Sequence, residues 1–272
     1  MVKRYEDLTF TDDFIFCRVL EQDPELCREL TSLILDRPVG KILFLQGQKG
    51  VRQTADGKGV RFDVYFEDDL SQIYNIEMQT TARKNLPKRS RYYQSMIDLD
   101  HMDPGAEYNS LPNSYVIFIT LNNIFPEVGF HRYTFTNICH EKPDLELDDG
   151  ATKIFICAKG NDTRISNRMK CFLKFLTDQS AEDDFTATLK TAVENLRISK
   201  HGRKEYMTLQ EKLYDERKEG LAEGLAKGLV KGRAEGRAEE RQNTERERCR
   251  AEAAEEKIRQ LEAQLAVLQT NQ

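Results

Sequence analysis

Nowhere in this chain of 272 residues is there an apolar run of about eighteen residues, the least that reads as a membrane-spanning helix. The opening MVKRYEDLTF also lacks the apolar centre of a secretory signal, so a cytoplasmic protein with no membrane partner is expected. No Cys-x-x-Cys pair occurs. Cys17, Cys27, Cys139, Cys157, Cys171 and Cys249 are scattered, which argues against a zinc knot or a disulfide framework and for reduced cysteines. A large excess of one charge is missing too. With 41 basic and 46 acidic residues the net charge is −5, and the mean hydropathy is −0.64. That balance excludes a protein that coats nucleic acid over its whole surface, so charge has to be read segment by segment.

What is present divides near residue 201. From Arg203 to Glu262, 15 Lys and Arg stand against 15 Asp and Glu, while the preceding residues carry the whole net charge of −5. This predicts a folded body over residues 1–200 and a charged helical tail over residues 201–272. The body opens with Thr11 as a cap before Phe14, Cys17 and Leu20 at helical spacing. Asp23-Pro24 then caps a second helix whose buried stripe is Leu26, Leu30, Leu33 and Ile34, ended by Pro38. Strands are predicted over Lys41–Gln46, Val60–Glu67 and Ile73–Thr80, with the glycine-rich stretch from Gly47 to Gly59 as a long turn. A helix follows from Pro87 to about Leu99, with Leu86, Ser90, Tyr93 and Ile97 along one side. Tyr115–Leu121 is apolar on both faces, as a central strand is. The order α-β-β-β-α-β argues an α/β fold, a mixed sheet flanked by helices. Strands His131–Ile138 and Thr152–Cys157 and helices around Arg168–Leu176 and Asp184–Leu196 enlarge it.

In the tail, glycine recurs at 220, 224, 228, 232 and 236. Each costs a helix about 1 kcal/mol against alanine, roughly 5 kcal/mol together, so this stretch is expected to fray unless it packs on something. Ile258, Leu261, Leu265 and Leu268 then form a two-heptad apolar seam. A solvated charged helix and a short coiled coil joining copies of the chain in a weak homo-oligomer both suit this pattern.

The chemistry concentrates in RFDVYFEDDLSQIYNIEMQ, residues 61–79. Strand alternation puts Phe62, Val64 and Phe66 on one face, matched by Tyr74, Ile76 and Met78. Arg61, Asp63, Tyr65 and Glu67, with Asn75, Glu77 and Gln79, take the other. A turn centred on Leu70 sets Asp63 directly across from Glu77, two carboxylates with Cβ atoms about 5 Å apart that repel each other. A divalent cation removes the conflict, and Mg²⁺ is suited to one or two carboxylates plus water and phosphate. A half-exposed hairpin with a merely polar outer face fits the same alternation. Just downstream, Arg83, Lys84, Lys88, Arg89 and Arg91 lead into a helix N-terminus, a setting that favours phosphate as well as a plain solvated charge run.

Asp63, thirteen residues and then Glu77-Met78-Gln79 on a hairpin within an α-β-β-β-α-β order resembles the PD-(D/E)xK nuclease superfamily. TDDFIFCRVL near the start, IEMQ at 76–79, LPKRSRYYQSMI at 86–97 and the glycine-repeat tail make it most similar to the PD-(D/E)xK nuclease family transposases, the recombination-promoting nucleases. The resemblance implies a restriction-endonuclease-like fold and a metal-dependent DNA endonuclease. It implies Mg²⁺, with Mn²⁺ as a substitute, held by Asp63, Glu77, the Met78 carbonyl and Asp13. Gln79 stands where the superfamily usually has a lysine that orients the attacking water and steadies developing charge. Glutamine offers hydrogen bonds but no charge. DNA is the implied partner, its backbone held by Arg83, Lys84, Lys88, Arg89 and Arg91.

Three functions follow from these observations. The Asp63/Glu77 pairing favours a nuclease acting in recombination or transposition. Gln79 leaves room for a degenerate nuclease fold kept as a DNA-binding or assembly module. The tail alone permits a structural scaffold.

Overall fold

The structure, a computed structural model, describes residues 3–52 and 59–270, with the side chains of the last helix described as far as residue 263. Residues 53–58 of the expected glycine-rich turn, Gly57 included, lie outside these residues, as do the side chains of Leu265 and Leu268. Contacts divide the chain into Met1–Tyr206 and Met207–Gln272. Among the described residues no helix is long and apolar enough to cross a membrane.

The first unit is built on a six-stranded sheet. Its strands are β1 (Ile42–Val51), β2 (Val60–Asp68), β3 (Ile73–Gln79), β4 (Ser114–Thr120), β5 (Arg132–Phe135) and β6 (Ala151–Cys157), in the order β1-β2-β3-β4-β6-β5. β1 to β3 are antiparallel, β3, β4 and β6 are parallel, and β5 returns antiparallel at the edge. A parallel step needs a crossover, and helix α3 (Leu86–His101) supplies it between β3 and β4. The predicted α-β-β-β-α-β order is the order found. β1 runs on through residues expected in the turn, and β5 is shorter than the run His131–Ile138.

Helices α1 (Asp13–Gln22) and α2 (Pro24–Leu35) precede the sheet. Asp23 caps α2 by accepting from the Leu26 N–H, with Pro24 in the first turn. At α1 the N-cap is Asp12 rather than Thr11, and its carboxylate accepts from the Thr9 N–H and takes an ion pair from Lys3. α3 lays Leu86, Tyr93, Met96 and Ile97 on a core that includes Phe62, Tyr65, Val116 and Phe118. Residues of opposite parity face the other way: Tyr74 stacks on Phe66 and on Tyr115, over which Arg37 sits after α2. α4 (Asn167–Asp178) and α5 (Asp184–Ile198) add Phe172, Phe175 and Phe185 to a second cluster with Phe10 and Phe16.

The hairpin departs from simple alternation at one point. The β1–β2 register runs from Gly47↔Val64 to Lys49↔Phe62, and between them Gln48 takes a left-handed φ of 53°. Across from Gln48 lies Asp63, and there Phe62 shares a face with Tyr65, stacked at 5.4 Å, with both under α3. The expected grouping of Phe62 with Val64 and Phe66 is therefore wrong, because the pleat slips at Asp63. The hairpin is also covered on both faces rather than half-exposed: Asn75 and Glu77 are as buried as Val64 and Ile76.

The C-terminal helix α6 is assigned over Lys200–Thr270. Its residues up to Tyr206 belong to the first unit. Tyr206 is buried against Tyr5 and Phe14 and donates to the Lys3 carbonyl, while Glu205 pairs with Arg18. From Met207 onward every described side chain is exposed except two of intermediate burial, Leu209 and Gln210. The glycine repeat is helical, and a Cβ built at Gly220, Gly224, Gly228, Gly232 or Gly236 meets nothing within 4 Å. Pairs one turn apart, such as Lys227–Glu223 at 2.6 Å and Arg248–Glu252 at 3.3 Å, each return about 0.2–0.5 kcal/mol of the glycine cost.

Candidate metal and nucleic-acid site

The β2–β3 ladder is centred on Leu70, pairing Glu67 with Ile73 and Val64 with Ile76. Beyond Val64 side chains take over from the ladder. Glu77 Oε1 accepts from the Asp63 N–H at 3.0 Å, and Asp63 Oδ2 accepts from the Met78 N–H at 3.0 Å. Each acid thus satisfies the main chain of the opposite strand, and the two stay neighbours where the strands part. Asp63 is 8% exposed and Glu77 1%.

Asp13 comes from the first turn of α1, with Cys17 one turn later on the same face. One ligand atom from each of Asp13, Cys17 and Asp63 lies within 4.8 Å of the other two. The Cys17 thiol donates weakly to Asp13 at 3.8 Å, and Arg61 reaches Asp13 at 3.4 Å. Burial, then the nearby Glu77 and Asp13 carboxylates, push the Asp63 carboxyl well above its ordinary range. Burial likewise raises Glu77, to about 7, against the opposing pull of Arg89. Burial and the surrounding acids raise the Cys17 thiol. A site that makes its own carboxylates hard to ionise is one that a cation relieves.

Arg89, on the first turns of α3, turns inward. Its Nη2 donates to Glu77 Oε2 at 2.6 Å, its Nη1 to Gln79 Oε1 at 3.1 Å, and its Nε to the Tyr93 hydroxyl at 2.8 Å. Burial by itself lowers the Arg89 pKa, and Glu77 and Tyr93 more than offset it, so the net shift is upward. Gln79 Nε2 donates to the hydroxyl and the carbonyl of Thr81 at 2.8 and 3.1 Å.

A cleft of about 750 Å³ opens above these groups. Asp63 lies in its wall together with Arg61, Arg83, Lys88, Arg89 and Arg91, and Asn85 brings the start of α3 to it. Lys84 is exposed but outside this lining. Met78 contributes its N–H to Asp63. Asp13, Asp63, Glu77 and Gln79 are thus brought to one place, with four of the five basic residues around the cleft. Sequence reasoning passed over Cys17, Arg61 and Tyr93. Cys17 and Tyr93 each lie four residues from a chosen residue on the same helix, Asp13 and Arg89, and that spacing was the available signal.

A family described as PD-(D/E)XK nuclease family transposase matches the sequence over residues 11–219. No curated protein and no solved structure matches the chain.

Proposed function

The chain belongs to the PD-(D/E)XK nuclease family transposases, and on that premise we propose that it is a divalent-metal-dependent DNA endonuclease acting in recombination or transposition. The observation that carries this reading is the convergence of the buried Asp63 and Glu77 of β2 and β3 with the partly exposed Asp13 of α1, beside a cleft walled by cations. The ligand atoms that lie together are those of Asp13, Cys17 and Asp63; the carboxylate oxygens of Asp13 and Asp63, with Glu77 and the Met78 main chain beside them, suit a hard divalent cation. When bound, Mg²⁺ or Mn²⁺ supplies Lewis-acid polarisation of a phosphodiester and a more acidic water.

The chain's own residues do the remainder. Arg83, Lys88 and Arg91 hold the sugar–phosphate backbone along the cleft, and this makes binding steeply salt-dependent. The α3 N-terminus adds main-chain N–H groups that favour phosphate. Asp63 and Glu77 brace each other's strands and so fix the spacing of the acids. The tail supplies self-association of a weak kind: Leu221, Leu225 and Leu229 repeat every four residues and are 66, 67 and 57% exposed, and Ile258 and Leu261 are exposed too.

The test is plasmid nicking with Mg²⁺ or Mn²⁺ against EDTA, beside Asp63→Ala. Metal-dependent nicking that Asp63→Ala loses supports the reading. A second reading, a degenerate DNA-binding module, draws on the Arg89–Glu77 ion pair and the uncharged Gln79. It expects DNA binding with background cleavage only, in wild type and variant alike.

A further inference from the structure

Gln79 has little of its amide to spare for a water: the nitrogen's donors are used and a single lone pair of the oxygen remains. Its oxygen accepts from Arg89, its nitrogen donates to Thr81 twice, and the residue is 8% exposed. The guanidinium beside it is held from three directions, by Glu77, Gln79 and Tyr93. Its Cζ lies 4.8 Å from the Tyr93 ring centre and 5.3 Å from that of Phe118. Even so, 27% of the Arg89 side chain remains exposed, and it shares the cleft wall with Asp63. A fixed, half-buried guanidinium is always charged, and its planar fork suits phosphate.

We propose that Arg89, rather than Gln79, presents to the scissile phosphate the positive charge that the strand position lacks, and that Gln79 is the positioning residue that aims it. The proposal rests on the nuclease reading above. In hydrolysis the water oxygen bonds to phosphorus, the phosphorus–oxygen ester bond breaks, and the proton of water passes to the leaving oxygen. Arg89 transfers no proton. It offsets the negative charge on the phosphoryl oxygens, a group held in place before the reaction and costing no reorganisation during it.

The experiment uses the full chain as wild type, Arg89→Ala, Gln79→Ala, the double Arg89→Ala/Gln79→Ala, and Arg89→Ala carrying Gln79→Lys. Each is assayed for plasmid nicking in Mn²⁺ and for binding a short DNA duplex in Ca²⁺ across a salt series. Arg89→Ala is expected to nick about 100-fold more slowly, the scale of losing one preorganised charge. Its plot of log affinity against log salt is expected to lose about one unit of slope, as for one phosphate contact. Because Gln79 acts through Arg89, Gln79→Ala is expected to lose less, and to lose nothing further once Arg89 is gone. Gln79→Lys in the Arg89→Ala background is expected to recover at least about 10-fold of the loss by returning a cation to the strand. This last variant also guards against misfolding, since it puts a charge back beside the buried Glu77.

The proposal is overturned if Arg89→Ala nicks within about 3-fold of wild type, or if the Gln79 and Arg89 losses multiply as independent effects do. If wild type itself does not nick, the nuclease reading fails separately. The salt slope then decides for Arg89, and an unchanged slope in Arg89→Ala overturns it.

Discussion

The two units of the chain use charge in opposite ways. In Met207–Gln272 acids and bases alternate in number and place, nearly all exposed, and their ion pairs sit one helical turn apart. Each such pair is worth a few tenths of a kcal/mol and is screened by salt. Among the described residues of Met1–Tyr206 three charged residues are buried, Asp63, Glu77 and Asp68, and each has specific partners. Charge density therefore says little about where chemistry resides, and burial of a charge says a great deal.

The largest effect expected from breaking this contrast is at Asp63. Asp63→Asn removes ligand charge while nearly keeping shape, so it is expected to abolish metal-dependent nicking and leave the melting temperature at or above that of wild type. An unfolded variant, or one that nicks normally, breaks the contrast. Next comes the seam where the body takes up the first turns of α6. Tyr206→Ala removes a ring packed on Tyr5 and Phe14 and is expected to cost about 3 kcal/mol in denaturant melts, the lower range for deleting a buried aromatic. For the same reason a truncation that leaves the body intact has to end after Tyr206. Truncation at His201 removes Arg203, which pairs with Glu6, as well as Glu205 and Tyr206. Chain 1–206 is expected to keep nicking while losing any concentration-dependent self-association seen by light scattering.

A smaller effect concerns pH. Glu77 and Asp63 are both raised in the folded protein, Glu77 to about 7. Between the ordinary carboxylate range and pH 7 the folded state binds more protons than the unfolded one. In EDTA, stability is therefore expected to fall as pH rises through that window. Scanning calorimetry from pH 5 to pH 7.5 should show the melting temperature declining by a few degrees, and Glu77→Gln should flatten the curve. Added Mn²⁺ should raise melting most at the upper end, where fewer protons compete with it for the acids. The smallest effect lies in the tail: Lys227→Ala breaks an exposed pair with Glu223 and is expected to change helix stability by under about 0.5 kcal/mol by circular dichroism.

Much of this was legible along the chain because the signals are local. Period-two alternation located β2 and β3, a turn about Leu70 set their register, and Asp23-Pro24 announced the start of α2. The opposition of Asp63 and Glu77 followed from that register alone. The sequence by itself thus determined the element order and the position of the acids at the open end of the hairpin.

Three things waited for the tertiary structure. The slip of the pleat at Asp63 puts Phe62 under α3, opposite Gln48 of the neighbouring strand, which takes a left-handed conformation. The assembly of Asp13 and Cys17 with Asp63 depends on how α1 packs against β2, some fifty residues away in the chain. Above all, five basic residues in nine are equivalent as sequence, and the crossover helix selects one. It turns Arg89 toward Glu77 and Gln79 and leaves Lys88 and Arg91 on the exposed wall of the cleft. Periodicity is a property of neighbours in the chain, whereas the partner of a buried charge is chosen by whichever element covers it, because an acid removed from water has to find its cation across the packed interface.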